Sequence, residues 1–127
     1  MDRVIGLPFV EGGRDLATGL DCWGLVVWMY SNALQLELPQ FRGQRTAAEA
    51  SSQAVQAHRH EWVQVDRPAL MDLVLFRVKG LPCHMGVVLD QRRFVHAEES
   101  AGVVIEHLSS IMWSRRLVGF GRYSGPR

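Results

Sequence analysis

The sequence has 127 residues, of which 47% are hydrophobic, and a formal net charge of +1. This length fits one globular domain, residues 1–127, built around a single hydrophobic core. The near-neutral charge provides no positive field that would bind the phosphates of nucleic acid, so a nucleic-acid partner is not expected.

The N-terminal segment, residues 1–20, is predicted to be a loop, with turns marked by Pro8, Gly12, Gly13 and Gly19. It has no apolar stretch between a basic start and a small-residue cleavage site, so we expect no signal peptide and a protein made in the cytoplasm. No stretch reaches the length of a membrane span, and a membrane partner is not expected either.

The first predicted helix begins at Cys22 and ends near residue 34. Asp21 is a good N-cap, and apolar residues follow on nearly every side of the helix, which is typical of a helix buried in the fold. A cysteine just after the cap lies where the helix dipole lowers a thiol pKa and favours the thiolate. A buried cysteine also packs as a small hydrophobe, so Cys22 alone leaves both interpretations open.

The remaining chain is predicted to form a second helix and then a sheet. Thr46-Ala47-Ala48-Glu49 is a capping box and predicts a peripheral helix that ends near His60. From residue 62 onward, four or five antiparallel strands are predicted, in the runs WVQV, DLVLFRV, HMGVVLD, RFVHAE and GVVIEHL. Helices followed by strands indicate an α+β domain whose helices pack on one face of a mostly antiparallel sheet.

Two histidines lie within apolar strand runs, His84 in HMGVVL and His96 in FVHA. A hairpin centred on residue 90 with a three-residue loop places their side chains opposite each other on one sheet face, with Gly86 leaving room for a ring. A nucleophilic cysteine needs a base, and the base needs an orienting partner, so this pair is a candidate for both roles. The other histidines are predicted to be surface residues: His58, His60 and His107.

A structural zinc site is an alternative from another class, because the chain offers a possible Cys2His2 set: Cys22, Cys83, His84 and His96. The sequence has no Cys-x-x-Cys pair, and adjacent strand residues point to opposite faces, which disfavours this site. We therefore predict no metal and no organic cofactor.

Several ordered motifs resemble those of the NlpC-type cell-wall cysteine peptidases, which are papain-like enzymes, and most closely the short members associated with phage tails. The motifs are PFVEGG at 8–13, DCWGLV at 21–26, MDLVLF at 71–76, HMG at 84–86, FVHA at 94–97 and the closing WSRRLVGFGRY. The resemblance implies a papain-like fold in which the cysteine helix packs on the sheet that holds both histidines. It also implies that Cys22 is the nucleophile, His84 the base and His96 the residue that orients the base.

The same resemblance implies hydrolysis of the D-γ-glutamyl to diamino-acid amide bond in peptidoglycan stem peptides. It implies a role as a component of a phage or phage-like tail, with other tail-tip proteins as partners and the virion or tail particle as location. Two alternatives stay open. One is a catalytically silent tail-assembly module of the same fold, and the other is a protease that acts on a tail protein.

Three residues depart from the family pattern. Phe9 stands where many members have tyrosine, and Trp23 replaces the small residue, often serine, that commonly follows the nucleophile. By their positions, Phe9, Asp21 and Trp23 are predicted to bind substrate. Cys83 directly precedes the predicted base, and it is predicted only to pack, facing away from His84.

Overall fold

The computed structural model of the protein describes residues 2–41 and 62–125. Their secondary structure consists of β1 (Arg14–Asp15), β2 (Gly19–Leu20), α1 (Cys22–Leu34), β3 (Trp62–Val65), β4 (Leu73–Val78), β5 (Leu81–Val88), β6 (Arg93–Glu98), β7 (Gly102–His107), α2 (Ile111–Ser114) and β8 (Leu117–Tyr123). The second helix predicted from Thr46 to near His60 lies outside the described residues.

The main sheet has six strands in the order β3-β8-β4-β5-β6-β7, and all of its pairings are antiparallel. This confirms the predicted α+β class with a mostly antiparallel sheet. Strand β8 was not predicted, because Gly119 and Gly121 interrupt its apolar pattern and glycine weakens a strand signal. It inserts between β3 and β4, and a separate hairpin of β1 and β2 precedes α1.

Helix α1 begins as predicted, with Asp21 as its N-cap. The Asp21 carboxylate accepts a hydrogen bond from the Gly24 N–H at 2.8 Å, which satisfies one of the donors exposed at a helix start. The helix ends at Leu34, where Gln35 adopts a left-handed conformation with φ of 53°. Gly24 is required by a close approach, because a Cβ there would lie 2.1 Å from the carbonyl oxygen of Gly13. The N-terminal segment therefore lies directly against the first turn of α1.

Side chains from the two faces of the sheet enter two separate apolar clusters. Helix α1 packs against β5 and β6, and its cluster includes Met85, Val87 and Val95. The residues that alternate with these on the strands point to the other face. There they pack with Trp113 from α2, in a cluster made of Val74, Phe76, Val88, Phe94 and Trp113. The main helix thus covers one face, and the short α2, which was not predicted, covers the other.

The aspartate of the MDLVLF motif joins the beginning of β4 to the end of β8. Asp72 is buried, and Arg122 donates from Nε and Nη2 to its two carboxylate oxygens at 2.9 Å each. The Ala69 N–H donates to the same carboxylate at 2.8 Å. These bonds connect two neighbouring strands of the sheet that lie far apart in sequence. No helix within residues 2–41 and 62–125 has the length and hydrophobicity that a membrane span requires.

Candidate active site

The structure brings His84 and His96 into direct contact. Nε2 of His84 lies 2.8 Å from Nδ1 of His96, and the two rings meet edge to face with centroids 5.0 Å apart. His96 is completely buried, whereas His84 is partly exposed. A buried polar ring requires a hydrogen-bond partner, so each histidine stabilises the orientation of the other.

The register of the hairpin differs from the one predicted. His84 and His96 were expected to face each other across a hairpin centred on residue 90, but Val87 pairs with Val95, which places the midpoint at residue 91. The pairing of His96 is thereby shifted by two residues, an even offset that leaves both histidines on the same face. Their rings consequently meet along a diagonal of the sheet rather than directly across it.

The turn of this hairpin explains the shift. The Asp90 carboxylate accepts hydrogen bonds from the backbone N–H groups of Arg92 and Arg93, both at 2.8 Å. The Leu89 N–H also donates to the carbonyl of Arg93 at 2.9 Å. Aspartate stabilises turns in this way, and four residues, 89–92, separate β5 from β6, one more than the predicted three.

Gly86 provides the room that the ring pair needs. A Cβ at this position would lie 2.8 Å from the carbonyl oxygen of Val95 and 3.2 Å from the Cβ of His96. Real Cβ atoms do not approach a backbone oxygen so closely, because the repulsion rises steeply below contact distance. A side chain here would therefore displace β6 and with it His96.

Trp113 covers the two imidazoles. Its ring stacks on His84 with centroids 5.1 Å apart and an interplanar angle of 29°, and it meets His96 edge to face at 4.6 Å. Trp113 is only 4% exposed, and Arg116 places its guanidinium 5.0 Å from the centre of the same ring. The indole thus shields the bond between the histidines from water.

Burial makes both histidines weak bases. It lowers the pKa of His84 from the ordinary 6.5 to about 3, with the neighbouring His96 and Arg116 lowering it further and Glu98 opposing the shift. It lowers the pKa of His96 to about 4, again against the effect of Glu98. Both rings are therefore neutral at neutral pH, and a neutral imidazole is the form that accepts a proton.

Glu106 is a third member of this group that sequence reasoning missed. Its Oε2 lies 2.8 Å from Nε2 of His96, so both ring nitrogens of the buried histidine have partners. The alternation of side chains along GVVIEH could have indicated the face on which Glu106 lies. Glu106 pairs with Phe94 across the β6–β7 ladder, and Phe94 and His96 are two residues apart, so all three side chains share one sheet face.

Cys22 is the first residue of α1 and is 2% exposed. Its helix packs against β5 and β6, the strands that carry the two histidines, on the face of Met85, Val87 and Val95. The imidazoles contact Trp113 on the other face of these strands. The pairs given by the β5–β6 ladder, Val87 with Val95 and Val88 with Phe94, lie at the turn end of the hairpin. His84 and His96 lie beyond them, toward the open end of the two strands.

The carboxylate of Asp21 beside Cys22 is occupied by internal partners. It accepts from the Gly12 N–H at 2.9 Å, from the Gly24 N–H and from the guanidinium of Arg14 at 2.7 Å. Both members of the Arg14–Asp21 ion pair are buried. Asp21, which was predicted to bind substrate, therefore has a structural role here, and its charge is compensated beside the thiol.

The other two predicted substrate-binding residues also pack against the core around α1. Trp23 is 1% exposed, and its indole N–H donates to the carbonyl of Pro39 at 2.8 Å. Trp23 also lines an apolar cavity of about 270 Å³ between α1 and the sheet. Phe9 is partly buried and bridges to Leu20. Of the three residues, Phe9 is the one with appreciable exposure.

The second cysteine is a packing residue. Cys83 is buried, its Sγ lies 3.9 Å from the carbonyl of Val78, and burial raises the pKa of its thiol. Within residues 2–41 and 62–125, no three side chains of His, Cys, Asp or Glu are arranged to hold a metal ion. The four residues of the zinc alternative are thus not assembled into a coordination site.

Comparisons with known proteins show the family to which the chain is similar. The sequence profile of the NlpC/P60 family matches residues 6–122. The chain is 31% identical over 128 residues to murein DD-endopeptidase MepH of Escherichia coli, covering 97% of this chain and 43% of that protein. It is 30% identical to the gamma-DL-glutamyl hydrolase of Bacillus subtilis, covering 96% of this chain and 27% of that protein. The chain thus spans less than half the length of either relative.

The fold is also similar to a solved structure. A protein of Staphylococcus aureus described as similar to a lipoprotein of the NLP/P60 family superimposes with a TM-score of 0.70 and 28% identity. The match covers 95% of this chain and 38% of the other.

Proposed function

The chain belongs to the NlpC/P60 family, and from this premise we propose that it is a cysteine peptidase that hydrolyses amide bonds in peptidoglycan stem peptides. The observation that carries the proposal is the buried contact of 2.8 Å between His84 and His96. An imidazole held by a second polar ring is the arrangement of a base and its orienting residue. In this proposal the nucleophile is Cys22, the first residue of α1.

The first half of the reaction forms a thioester. His84 takes the proton from the Cys22 thiol, and the sulfur attacks the carbonyl carbon of the amide. Backbone N–H groups in the first turn of a helix point out of its N-terminus, and the N–H of Cys22 helps to hold the oxyanion. The C–N bond then breaks as protonated His84 gives its proton to the leaving amine.

The second half releases the acid and restores the enzyme. His84, neutral again, removes a proton from a water molecule, and the resulting hydroxide attacks the thioester carbonyl. The C–S bond breaks, the carboxylic acid leaves, and the cysteine recovers its proton from His84. The low pKa of His84 keeps this residue in its neutral form before each half-reaction.

The bond we propose is the D-γ-glutamyl to diamino-acid bond of the stem peptide. The relative named gamma-DL-glutamyl hydrolase supports this choice, whereas the relative named DD-endopeptidase favours the D,D cross-link as a second candidate. A linear stem tetrapeptide and a cross-linked dimer, incubated separately and analysed by mass spectrometry, distinguish the two. Cleavage of the linear peptide after the glutamyl residue supports the first candidate. Cleavage of the dimer alone into two intact tetrapeptides contradicts it.

We further propose that the enzyme acts as a component of a phage or phage-like tail, together with other tail-tip proteins. The support is the resemblance of its motifs to those of the short tail-associated members of the family. Mass spectrometry of purified tail particles from a producing strain tests this location. Peptides of the chain in the particles support it, and their absence from particles that retain the other tail-tip proteins contradicts it.

A further inference from the structure

Glu106 is the hydrogen-bond partner of the buried His96 ring. We propose that it is a positioning residue that selects the tautomers of His96 and His84, and this inference rests on the proposed peptidase function. The three side chains form one line of contacts. Glu106 Oε2 lies 2.8 Å from Nε2 of His96, whose Nδ1 lies 2.8 Å from Nε2 of His84.

The donors and acceptors in this line are fixed by elementary chemistry. A carboxylate only accepts hydrogen bonds, so the contact with Glu106 requires that Nε2 of His96 carry the hydrogen. A neutral imidazole has one N–H, which leaves Nδ1 of His96 as an acceptor. His84 must then donate from its Nε2. The lone pair of His84 is thereby placed on Nδ1, the nitrogen not engaged with His96.

Without the carboxylate, the opposite arrangement satisfies the contact between the rings equally well. His96 would donate from Nδ1 to Nε2 of His84, and the hydrogen of His84 would lie on Nδ1. In that tautomer Nδ1 of His84 already carries a hydrogen and cannot accept a proton from a thiol. Without Glu106, either histidine can be the donor in the contact between the two rings. The Glu106 carboxylate fixes His84 as the donor and His96 as the acceptor.

Burial strengthens the preference for the tautomer of His96 protonated on Nε2, because no solvent reaches His96 to supply another acceptor. His96 is 0% exposed, while the Glu106 side chain is 30% exposed and lies at the outer end of the line. A second carboxylate, Glu98, acts on both rings through its charge, but its Oε2 accepts from the Ser100 N–H at 3.0 Å. Glu98 thus offers a matched control in which a nearby negative charge is removed.

The direct test is nitrogen NMR of the histidine rings at neutral pH in the wild type, Glu106→Ala and Glu98→Gln. We expect His84 and His96 to be protonated on Nε2 in the wild type and in Glu98→Gln. In Glu106→Ala we expect both rings to shift toward protonation on Nδ1. Unchanged tautomers in a folded Glu106→Ala variant would overturn the inference.

A second variant keeps the test decisive if Glu106→Ala does not fold. Glu106→Gln preserves the shape, but its amide can donate as well as accept, so we expect a mixture of the two tautomers. A ring pair protonated on Nε2 alone in this variant would also overturn the inference. Because NMR requires no substrate, a catalytically inactive wild type with the expected tautomers would refute the peptidase function and leave the role of Glu106 standing.

Kinetics add a readout that a purely structural role would not produce. For Glu106→Ala we expect kcat to fall at least about tenfold while KM changes little, because the base is misprotonated and the binding surface is retained. A loss confined to KM would contradict the positioning role.

Discussion

His84 and His96 make a direct contact of 2.8 Å between their rings, although their positions are not paired with each other in the sheet ladder. The even register offset of the hairpin keeps the side chains on one face, and the missing side chain of Gly86 leaves the space for their diagonal approach. The pair is therefore a product of backbone geometry as much as of the two residue identities.

The first prediction concerns the pH dependence of activity. Burial lowers the pKa of His84, the proposed base, to about 3, so its imidazole stays neutral at pH values well below the ordinary histidine pKa of 6.5. A lowered pKa means that protonation abolishes the base only at more acidic pH. We expect the acidic limb of the kcat/KM profile to fall below 6.5. A limb centred at or above 6.5 would contradict this environment for His84.

The second prediction concerns the indole that covers the histidines. Trp113→Ala opens a cavity in the apolar cluster that Trp113 forms with Phe76 and Phe94. We expect a loss of about 3–5 kcal/mol in the free energy of unfolding. Access of water should also raise the pKa of His84 toward 6.5 and move the acidic limb with it.

Trp113→Phe is the control for this variant, because it retains an aromatic ring beside His84. It should lose less stability than Trp113→Ala in urea unfolding and keep an acidic limb close to that of the wild type. Equal limbs in all three proteins would show that the indole does not shield the imidazoles.

The third prediction concerns the buried ion pair before α1. Asp21→Ala removes the helix cap and leaves the Arg14 guanidinium without its carboxylate, so we expect a loss of about 3–5 kcal/mol. Asp21→Asn keeps an acceptor for the Gly24 N–H and should be destabilised less. Chemical unfolding of the two variants measures the difference. Equal stability of the two variants would contradict the contribution of the helix cap, which asparagine retains and alanine loses.

The fourth prediction distinguishes the two buried thiols. Burial raises the pKa of Cys83, whereas Cys22 lies at a helix start, where thiolates are favoured. At a mildly acidic pH of about 6, we expect iodoacetamide to modify Cys22 at least about tenfold faster than Cys83. Peptide mapping by mass spectrometry gives both rates. Equally slow modification of the two would support a catalytically silent assembly module.

Local patterns in the sequence were sufficient to predict much of the structure. Helix α1 follows from its cap and continuous apolar run, and the strands follow from short apolar runs separated by turns. The parity of His84 and His96 placed them on one face because strand side chains alternate with a period of two. These features depend on neighbours in sequence, which a pattern can report.

The remaining features depend on residues far apart in sequence or on a turn. The four-residue turn at 89–92 follows from the hydrogen bonds that the Asp90 side chain accepts from the backbone of Arg92 and Arg93, and it is one residue longer than predicted. Trp113 and Glu106 reach the histidines from later elements that the hairpin alone does not reveal. Trp23 also follows Cys22 in sequence, yet its indole turns inward and donates to the carbonyl of Pro39.

Digestion of purified peptidoglycan by the wild type, Cys22→Ala and Cys83→Ala, with the products identified by mass spectrometry, tests whether the protein is a peptidase with Cys22 as its nucleophile. We expect new free amines with the wild type and with Cys83→Ala and none with Cys22→Ala. Equal release of amines by the wild type and a folded Cys22→Ala variant would contradict Cys22 as the nucleophile, and no release by a folded wild type would contradict the peptidase itself.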